Sequence, residues 1–401
     1  MSDDFLTREQ TENYGRYVAE PNEVQLARYF HLDERDLAFI NQRRGKHNRL
    51  GIALQLTTAR FLGTFLPDPL QIPSFIRFYI AAQLNISRPE ILSRYAEREN
   101  TRWEHQGLIK LYYDYHDFGD FPWTFRLKRL LYTRAWLSNE RPGLLFDFAT
   151  AWLLQNKILL PAASTLTRLI GEVRERASRR LWRRLALLPD SWQKAQLDGL
   201  LEIPEGQRIS VLEEIRKGPV TISGPSFTDA LERYTRLRSM EFSRLNFSGL
   251  PAIQLRNLAR YAGMASVKYI SRMPEERRLA VLTAFVKAQE ISALDEAVDV
   301  LDMLILDITR SAKSIGQKKR LRTLKDLDRA ALLLARACSL LLDENTDEAA
   351  LRQAIFRRIP KDKLAESVGK VNELARPQDT HFQDEMVEQY GRVKRFLSAM
   401  L

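Results

Sequence analysis

The chain has 401 residues and a mass of 46.6 kDa, which is enough for two to four domains with cores of their own. Hydrophobic residues make up 45% of it and charged residues 28%, proportions that exclude a largely disordered chain. Its 62 Lys and Arg exceed its 51 Asp and Glu, so the formal net charge is +11, as in many proteins that bind nucleic acid.

The sequence predicts a cytoplasmic protein. The N-terminus, Met1-Ser2-Asp3-Asp4, carries acid where a signal peptide carries base. The longest apolar run, residues 330–342, contains Arg336 and is too short for a membrane span, so no membrane partner is expected. The single cysteine, Cys338, cannot form an internal disulfide, which agrees with a reducing compartment.

Apolar residues recur at helical spacing along almost the whole chain, and no sustained alternation indicates a strand. The sequence therefore predicts an all-α, multi-domain helical array. Thr7, Asp33 and Thr101 each stand three residues before an acid or amide, the spacing that caps a helix N-terminus. Breaks rich in Pro and Gly divide the chain into three predicted parts, residues 1–120, 121–217 and 226–401.

Residues 22–44 have the pattern of a helix, a turn and a second helix, the size of a helix-turn-helix unit. The second helix is predicted to run through Arg44 to a stop at Gly45. Its polar end would reach base edges in the major groove, and the bases beyond it would hold phosphates. An ordinary helical hairpin is the more common outcome of such a pattern. The predicted DNA-binding residues here are Asn41, Gln42, Arg43, Arg44, Lys46, His47, Asn48 and Arg49.

Residues 168–184 contain seven Arg and two Glu, a balance of +5. On a helix, the apolar residues of this segment form one stripe and a row of guanidinium groups lies on the opposite face. Because guanidinium pairs with two phosphate oxygens at once, this row is suited to a DNA backbone. A solvated face is an equally good interpretation, since Glu172 and Glu175 can pair with some of these arginines. The predicted contact residues are Arg168, Arg176, Arg179 and Arg183.

A third basic segment, residues 310–325, holds seven Lys and Arg and no acid. Ser314 and Gly316 predict a turn in its middle, and so a basic loop that contacts the DNA backbone. An exposed loop without a partner fits nearly as well. The predicted contacts of this loop are Lys318, Lys319 and Arg320.

Near the other end of the chain, Arg102 is predicted to face outward from the helix that Thr101 caps, as a further phosphate contact.

A helix seam is predicted in the last third of the chain, where apolar residues alternate at spacings of four and three. The seam residues are Leu294, Val298, Leu301, Ile305 and Ile308. At this length a seam within the chain is more common than one between two chains, and a dimer remains an alternative.

No catalytic, metal or cofactor site is predicted. The sequence has no phosphate loop, no dinucleotide fingerprint and no cluster of His and Cys at metal-ligand spacing. Acids that converge from distant helices, as in a nuclease, are an alternative that spacing does not exclude.

Several segments together resemble the N-terminal part of the Tn3-family transposases, enzymes of replicative transposons. The most specific is a block that runs from Leu26-Ala27-Arg28-Tyr29-Phe30 through Arg43-Arg44-Gly45-Lys46-His47-Asn48-Arg49 to Arg60-Phe61-Leu62-Gly63. Further similar segments follow in order along the chain, among them residues 95–105, 158–161, 174–177, 236–238 and 374–377.

The resemblance implies that the N-terminal helical region recognises the terminal inverted repeats of a transposon. In that family a ribonuclease-H-like domain nearer the C-terminus carries three metal-binding acids, and no segment here matches it. The resemblance thus implies duplex DNA binding by a truncated or split transposase of the bacterial nucleoid, without strand transfer. The alternative is a helical protein that multimerises with a full-length transposase and regulates it.

Overall fold

A computed structural model describes residues 5–342, 351–374 and 387. Within them the fold is all-α, as predicted, and β-structure is limited to an isolated bridge between His116 and Ile158. The chain forms two compact units. The first comprises Met1–Leu188, Asn246–Met264 and Arg272–Ala284, and the second comprises Pro189–Leu245, Ala265–Ser271 and Phe285–Leu401.

The helices before residue 120 are mostly short. They are α1 Arg8–Asn13, α2 Glu23–Gln25, the π-helix Leu26–Phe30, α3 Glu34–Asn41, α4 Lys46–Leu62, the 3-10 helix Pro69–Gln71, α5 Ser74–Gln83, the 3-10 helix Pro89–Ile91, α6 Leu92–Ala96 and α7 Glu99–Tyr113. Thr7 and Asp33 cap α1 and α3 as predicted. The predicted start at Thr101 is wrong: α7 begins at Glu99, which supplies the negative charge favoured in a first turn.

Helix α4 is the central element of the first core. Every residue from Leu50 to Ala59 is buried, and α3, α5, α6 and α7 all contact the helix. At Gly51 the backbone of α4 lies against α6, since a Cβ there would be 2.3 Å from the Tyr95 ring. The middle of α4 therefore cannot enter a DNA groove, and only the ends of this helix reach the surface.

The second helix of the predicted helix-turn-helix is shorter than the pattern indicates. It ends at Asn41 and does not run through Arg44, because residues 42–45 turn into α4. Gly45 has a φ of 82°, a conformation that favours glycine and that separates the two helices. The predicted DNA-binding residues of this region consequently lie around a turn, here called the α3–α4 turn (residues 42–45), and not along one helix.

Three longer helices, α8 Trp123–Leu137, α9 Pro142–Gln155 and α10 Ala163–Ala186, enclose a second core. Helix α10 is amphipathic, as predicted. The buried stripe comprises Leu166, Ile170, Val173, Ala177 and Leu181, whereas the four predicted contact arginines are exposed. Each fully buried aliphatic side chain contributes about 1.5–3 kcal/mol, which is enough to fix the side of α10 that faces solvent.

The helices after residue 189 are α11 Ser191–Gly199, α12 Val211–Ile215, α13 Gly224–Ser239, the 3-10 helix Phe242–Arg244, α14 Ala252–Met264, α15 Val267–Ser271, α16 Glu275–Leu341, α17 Leu351–Arg358 and α18 Lys361–Leu374. Helix α14 and the start of α16 belong to the first unit. There, the Gln254 amide donates to the carbonyls of Ala135 and Ser138 at the end of α8, at 3.0 and 2.7 Å.

The predicted basic loop at residues 310–325 is wrong. Helix α16 runs unbroken through Ser314 and Gly316, because a single glycine costs a helix only about 1 kcal/mol. Lys318 is exposed on this helix, in the second unit. Lys319 and Arg320 lie in the same helix, but their side chains lie outside the described part of the structure. In the described residues, no helix has an apolar stretch long enough to cross a membrane.

Candidate nucleic-acid interface

The α3–α4 turn is held by hydrogen bonds from the first residues of α4. The Arg49 guanidinium donates through Nε to the Arg43 carbonyl at 3.0 Å and through Nη2 to the Asn41 carbonyl at 3.2 Å. The Asn48 amide donates to the Arg44 carbonyl at 2.9 Å. Arg49 and Asn48 are both predicted as DNA contacts, and some of their hydrogen-bond donors are thus used by the backbone of the turn.

At the end of α4 away from the turn, a largely buried ion pair joins α3 to α4. Arg60 donates two hydrogen bonds to the Asp36 carboxylate, at 2.7 and 2.5 Å, and the Tyr113 hydroxyl donates a third at 2.7 Å. Burial opposes ionisation of Asp36, but the hydrogen bonds from Arg60 and Tyr113 outweigh it and hold the pKa of the carboxyl below its usual value. The pair stays charged at neutral pH and fixes the angle between the two helices.

The N-terminus of α4 has no negative group of its own. The helix starts without a side-chain cap and without an acid in its first turn. The free backbone N–H groups and the positive end of the helix dipole therefore remain available to an anion. Arg44 and Lys46 are exposed there, and neither has an ion-pair partner in the part of the chain that the structure describes.

Arg102 lies on α7, three residues before the buried His105. The buried side chains Tyr95 and His105 hydrogen-bond through Oη and Nδ1 at 3.0 Å. Burial, with a smaller contribution from the charge of Arg43, lowers the pKa of His105 to about 4. Burial raises the pKa of Tyr95, and the charge of Arg102 opposes that rise in part. Arg102 is half-buried and donates a hydrogen bond through Nη1 to the Pro67 carbonyl at 2.7 Å, so one of its donors is also used by the backbone.

On α10, some of the arginines that the sequence predicts as DNA contacts form ion pairs and others do not. Three of the four predicted contact residues lie in ion pairs. The pairs are Arg168 with Glu172 at 4.0 Å, Arg179 with Glu175 at 2.5 Å and Arg183 with Glu276 at 3.7 Å. Arg176 is exposed and has no such partner among the described residues.

A groove follows the line where α8 and α10 pack together. This α8–α10 groove is lined by Phe125, Lys128, Arg129 and Tyr132 from α8 and by Glu172, Val173, Arg176 and Arg180 from α10. Lys128 and Arg129 are not among the DNA contacts that the sequence predicts. The close spacing of Arg126, Lys128 and Arg129 was the available signal, but only the packing of α8 on α10 places the last two beside the arginine-rich helix.

Relatives of the chain are transposases. Over all 401 residues it is 77% identical to the transposase for transposon gamma-delta of Escherichia coli K12. The chain is homologous to part of a transposase. The transposases for Tn501 of Pseudomonas aeruginosa and Tn1546 of Enterococcus faecium are 28% and 26% identical over 96% and 99% of the chain.

The resemblance to Tn3-family transposases that the sequence indicated is confirmed as homology along the whole chain. The chain spans about 40% of the length of these relatives. Residues 5–173 also match a family described as a domain of unknown function, DUF4158. This match covers the α3–α4 turn and the first part of α10.

Proposed function

We propose that the chain binds duplex DNA at the terminal inverted repeats of a transposon, as the recognition part of a transposase. The observation that carries the proposal is the start of α4, where Arg43, Arg44 and Lys46 lie at a helix N-terminus that has no acid in its first turn. Homology to transposases supports transposon ends as the target, since a transposase acts at the ends of its element. In this proposal strand transfer belongs to another part of a transposase.

Base edges are read by the side chains that precede α4. Asn41, Gln42 and Arg44 are exposed, and amide groups suit adenine whereas guanidinium suits guanine. Arg43 is held in place: its guanidinium lies 5.5 Å from the centre of the Phe39 ring and donates to the Gln42 amide oxygen at 3.1 Å. Such a restrained side chain loses less entropy when it binds a base.

Phosphate contacts are proposed both beside this reading surface and on other helices of the chain. Lys46 and His47 lie in the first turn of α4, where the positive end of the helix dipole adds to the charge of Lys46 and the His47 ring can donate an N–H to a phosphate. Asn48, Arg49 and Arg102 have donors left after their backbone bonds and are proposed as weaker contacts. The further proposed phosphate contacts are Arg168, Arg176, Arg179 and Arg183 on α10, and Lys318, Lys319 and Arg320 on α16.

A nuclease footprint tests the proposal. The substrate is a DNA fragment that carries one terminal repeat of the gamma-delta transposon with flanking sequence on both sides. Protection confined to the repeat is expected. Uniform protection along the fragment, or none at protein concentrations up to about 10 µM, which is the middle of the usual range of non-specific Kd (about 1–100 µM), contradicts it.

A second candidate function is association with another copy of the chain or with a longer transposase. It is favoured by α16, on which the seam residues Leu294, Val298 and Ile305 expose 41%, 49% and 48% of their surface. Three exposed apolar residues at coiled-coil spacing suit a second helix. Light scattering with Val298→Asp tests it: a wild-type dimer that the substitution dissociates supports association, and a wild-type monomer that binds DNA tightly contradicts it.

A further inference from the structure

We infer that the α8–α10 groove binds the phosphate backbone of duplex DNA through Lys128, Arg129, Arg176 and Arg180. The inference rests on the proposed function, because it presumes a DNA-binding protein. It adds a second contact surface, in which Arg176 is retained from the helical pattern of α10 and Lys128, Arg129 and Arg180 are new.

The first argument is the distribution of ion pairs along α10. The two acids of the arginine-rich segment are engaged by the outward-facing Arg168 and Arg179. Four arginines of the segment have no acidic partner among the described residues: Arg174, which is half-buried, and Arg176, Arg180 and Arg184, which are exposed. The three exposed ones follow each other at intervals of four and so form one row. At 1.5 Å per residue the row is about 12 Å long, and one DNA strand places a phosphate every 3.4 Å of axis, so the row passes three or four phosphates.

The second argument is the aromatic support under these arginines. The Trp136 ring of α8 lies 5.1 Å from the Arg180 guanidinium and 5.8 Å from that of Arg184, measured to the ring centre. Arg180 also donates through Nη1 to the Tyr132 hydroxyl at 3.1 Å. A guanidinium that lies over a ring keeps N–H donors at its edge, where a phosphate can accept them.

The same contacts determine which form of nucleic acid fits. Single-stranded DNA is commonly bound by stacking its bases on exposed aromatic faces. Two arginines already approach the Trp136 ring, and Tyr132 is half-buried. Of the aromatic residues that line the groove, Phe125 is exposed, whereas four cations line it. The groove therefore offers more charge to a backbone than ring faces to bases, which favours duplex DNA.

The third argument is the charge of the α8 side. Four of the eight lining residues are cations and one, Glu172, is an acid, a balance of +3. Lys128 and Arg129 are exposed, and neither has an ion-pair partner within the described ranges of the chain. Like charges held together repel one another, and a polyanion in the groove removes that repulsion.

The test is a double substitution, Lys128→Ala with Arg129→Ala, measured by fluorescence anisotropy on a random duplex at 50–200 mM salt. Loss of two phosphate contacts should lower the slope of log K against log salt by about 1.8 and weaken binding about 10- to 60-fold at 0.1 M salt. The matched control is Arg236→Ala with Arg244→Ala. It removes the same charge at two exposed arginines that are paired with Glu214 and Glu241, and it should change affinity less than about 2-fold.

Failure of the groove inference can be told apart from failure of the proposed function. If the wild-type chain binds duplex DNA and the groove variant matches it in affinity and slope, the groove inference is overturned and the proposed function stands. If the wild-type chain binds no duplex, both fail. A larger loss on single-stranded than on duplex DNA also overturns the assignment to a duplex backbone. Should the double variant unfold, Arg176→Gln gives the same test with an expected slope change of about 0.9.

Discussion

The Nε atom of Arg49 donates a hydrogen bond to the carbonyl oxygen of Arg43 at 3.0 Å, so a residue of α4 holds the turn that presents Arg43 to its surroundings. A second bond, from Arg49 Nη2 to the Asn41 carbonyl, fixes the other end of the turn. At the other end of the two helices, the Asp36–Arg60 pair sets the angle between α3 and α4. The proposed reading surface is therefore a restrained turn, whose order is established before DNA binds.

Arg49→Ala should weaken binding to a transposon end and to random DNA alike, because the turn loses two of its hydrogen bonds. Amide hydrogen exchange at residues 41–48 should become faster in the free protein. Lys46→Ala is the control, since it removes a phosphate contact without a bond to the turn, and its exchange rates should match the wild type. Unchanged exchange in Arg49→Ala would show that this side chain does not position the turn.

Arg43→Ala and Arg44→Ala should reduce the preference for the transposon end. A bidentate contact to guanine discriminates by about 1–3 kcal/mol, which is about 5- to 150-fold in affinity. Each variant should lose this factor on the cognate duplex and much less on a scrambled one, whereas Lys46→Ala should weaken both equally. Competition titrations with the two duplexes measure the ratio. Equal losses on both duplexes for all three variants would remove the assignment of base contacts to the turn.

Asp36→Asn should destabilise the first unit by about 3–5 kcal/mol, because it leaves the charge of Arg60 partly buried without its partner. The comparison is Glu140→Gln, which breaks the more exposed pair with Arg134 and should cost about 1 kcal/mol or less. Urea unfolding of both variants gives the two values. A similar small loss at both positions would mean that the Asp36–Arg60 pair does not hold the fold.

Some of this architecture follows from local sequence and some does not. The caps at Thr7 and Asp33 and the buried stripe of α10 depend on neighbours within one helix, and they were predicted. The sequence predicts that α3 runs through Arg44, whereas the helix ends at Asn41. Gln42 and Arg43 carry no sequence signal for a helix end, and only Gly45, with its positive φ, marks the turn. The turn expected at Gly316 failed for the opposite reason, since a long helix tolerates one glycine.

The candidate site is less predictable than the fold, because tertiary contacts decide which of its charged side chains remain free to bind a ligand. Arg183 pairs with Glu276, a residue far along the chain, and Arg49 bonds to a turn that the sequence had placed inside a helix. Periodicity identifies the exposed face of α10 but not which arginines an acid has neutralised. Lys128 and Arg129 join that surface only because α8 packs on α10.

Acid should destabilise the chain through His105. The pKa of this residue is lowered to about 4 in the folded protein, chiefly by burial, against about 6.5 when unfolded. Between these values the unfolded chain binds a proton that the folded chain does not, so stability falls as the pH falls from 6.5 towards 4, by up to about 3 kcal/mol. Urea unfolding at pH 7, 6 and 5 measures the slope. The slope of His105→Gln should be smaller, and equal slopes would contradict the shift.

The most direct measurement of the central claim is the affinity for a duplex carrying a gamma-delta terminal repeat, beside a scrambled duplex, at 50, 100 and 200 mM salt. If about 6–10 phosphates are contacted, affinity should fall about 10³- to 10⁵-fold across this range, and the repeat should be preferred at every salt concentration. An affinity that does not change with salt, or that is the same for both duplexes, would contradict sequence-specific recognition of a transposon end.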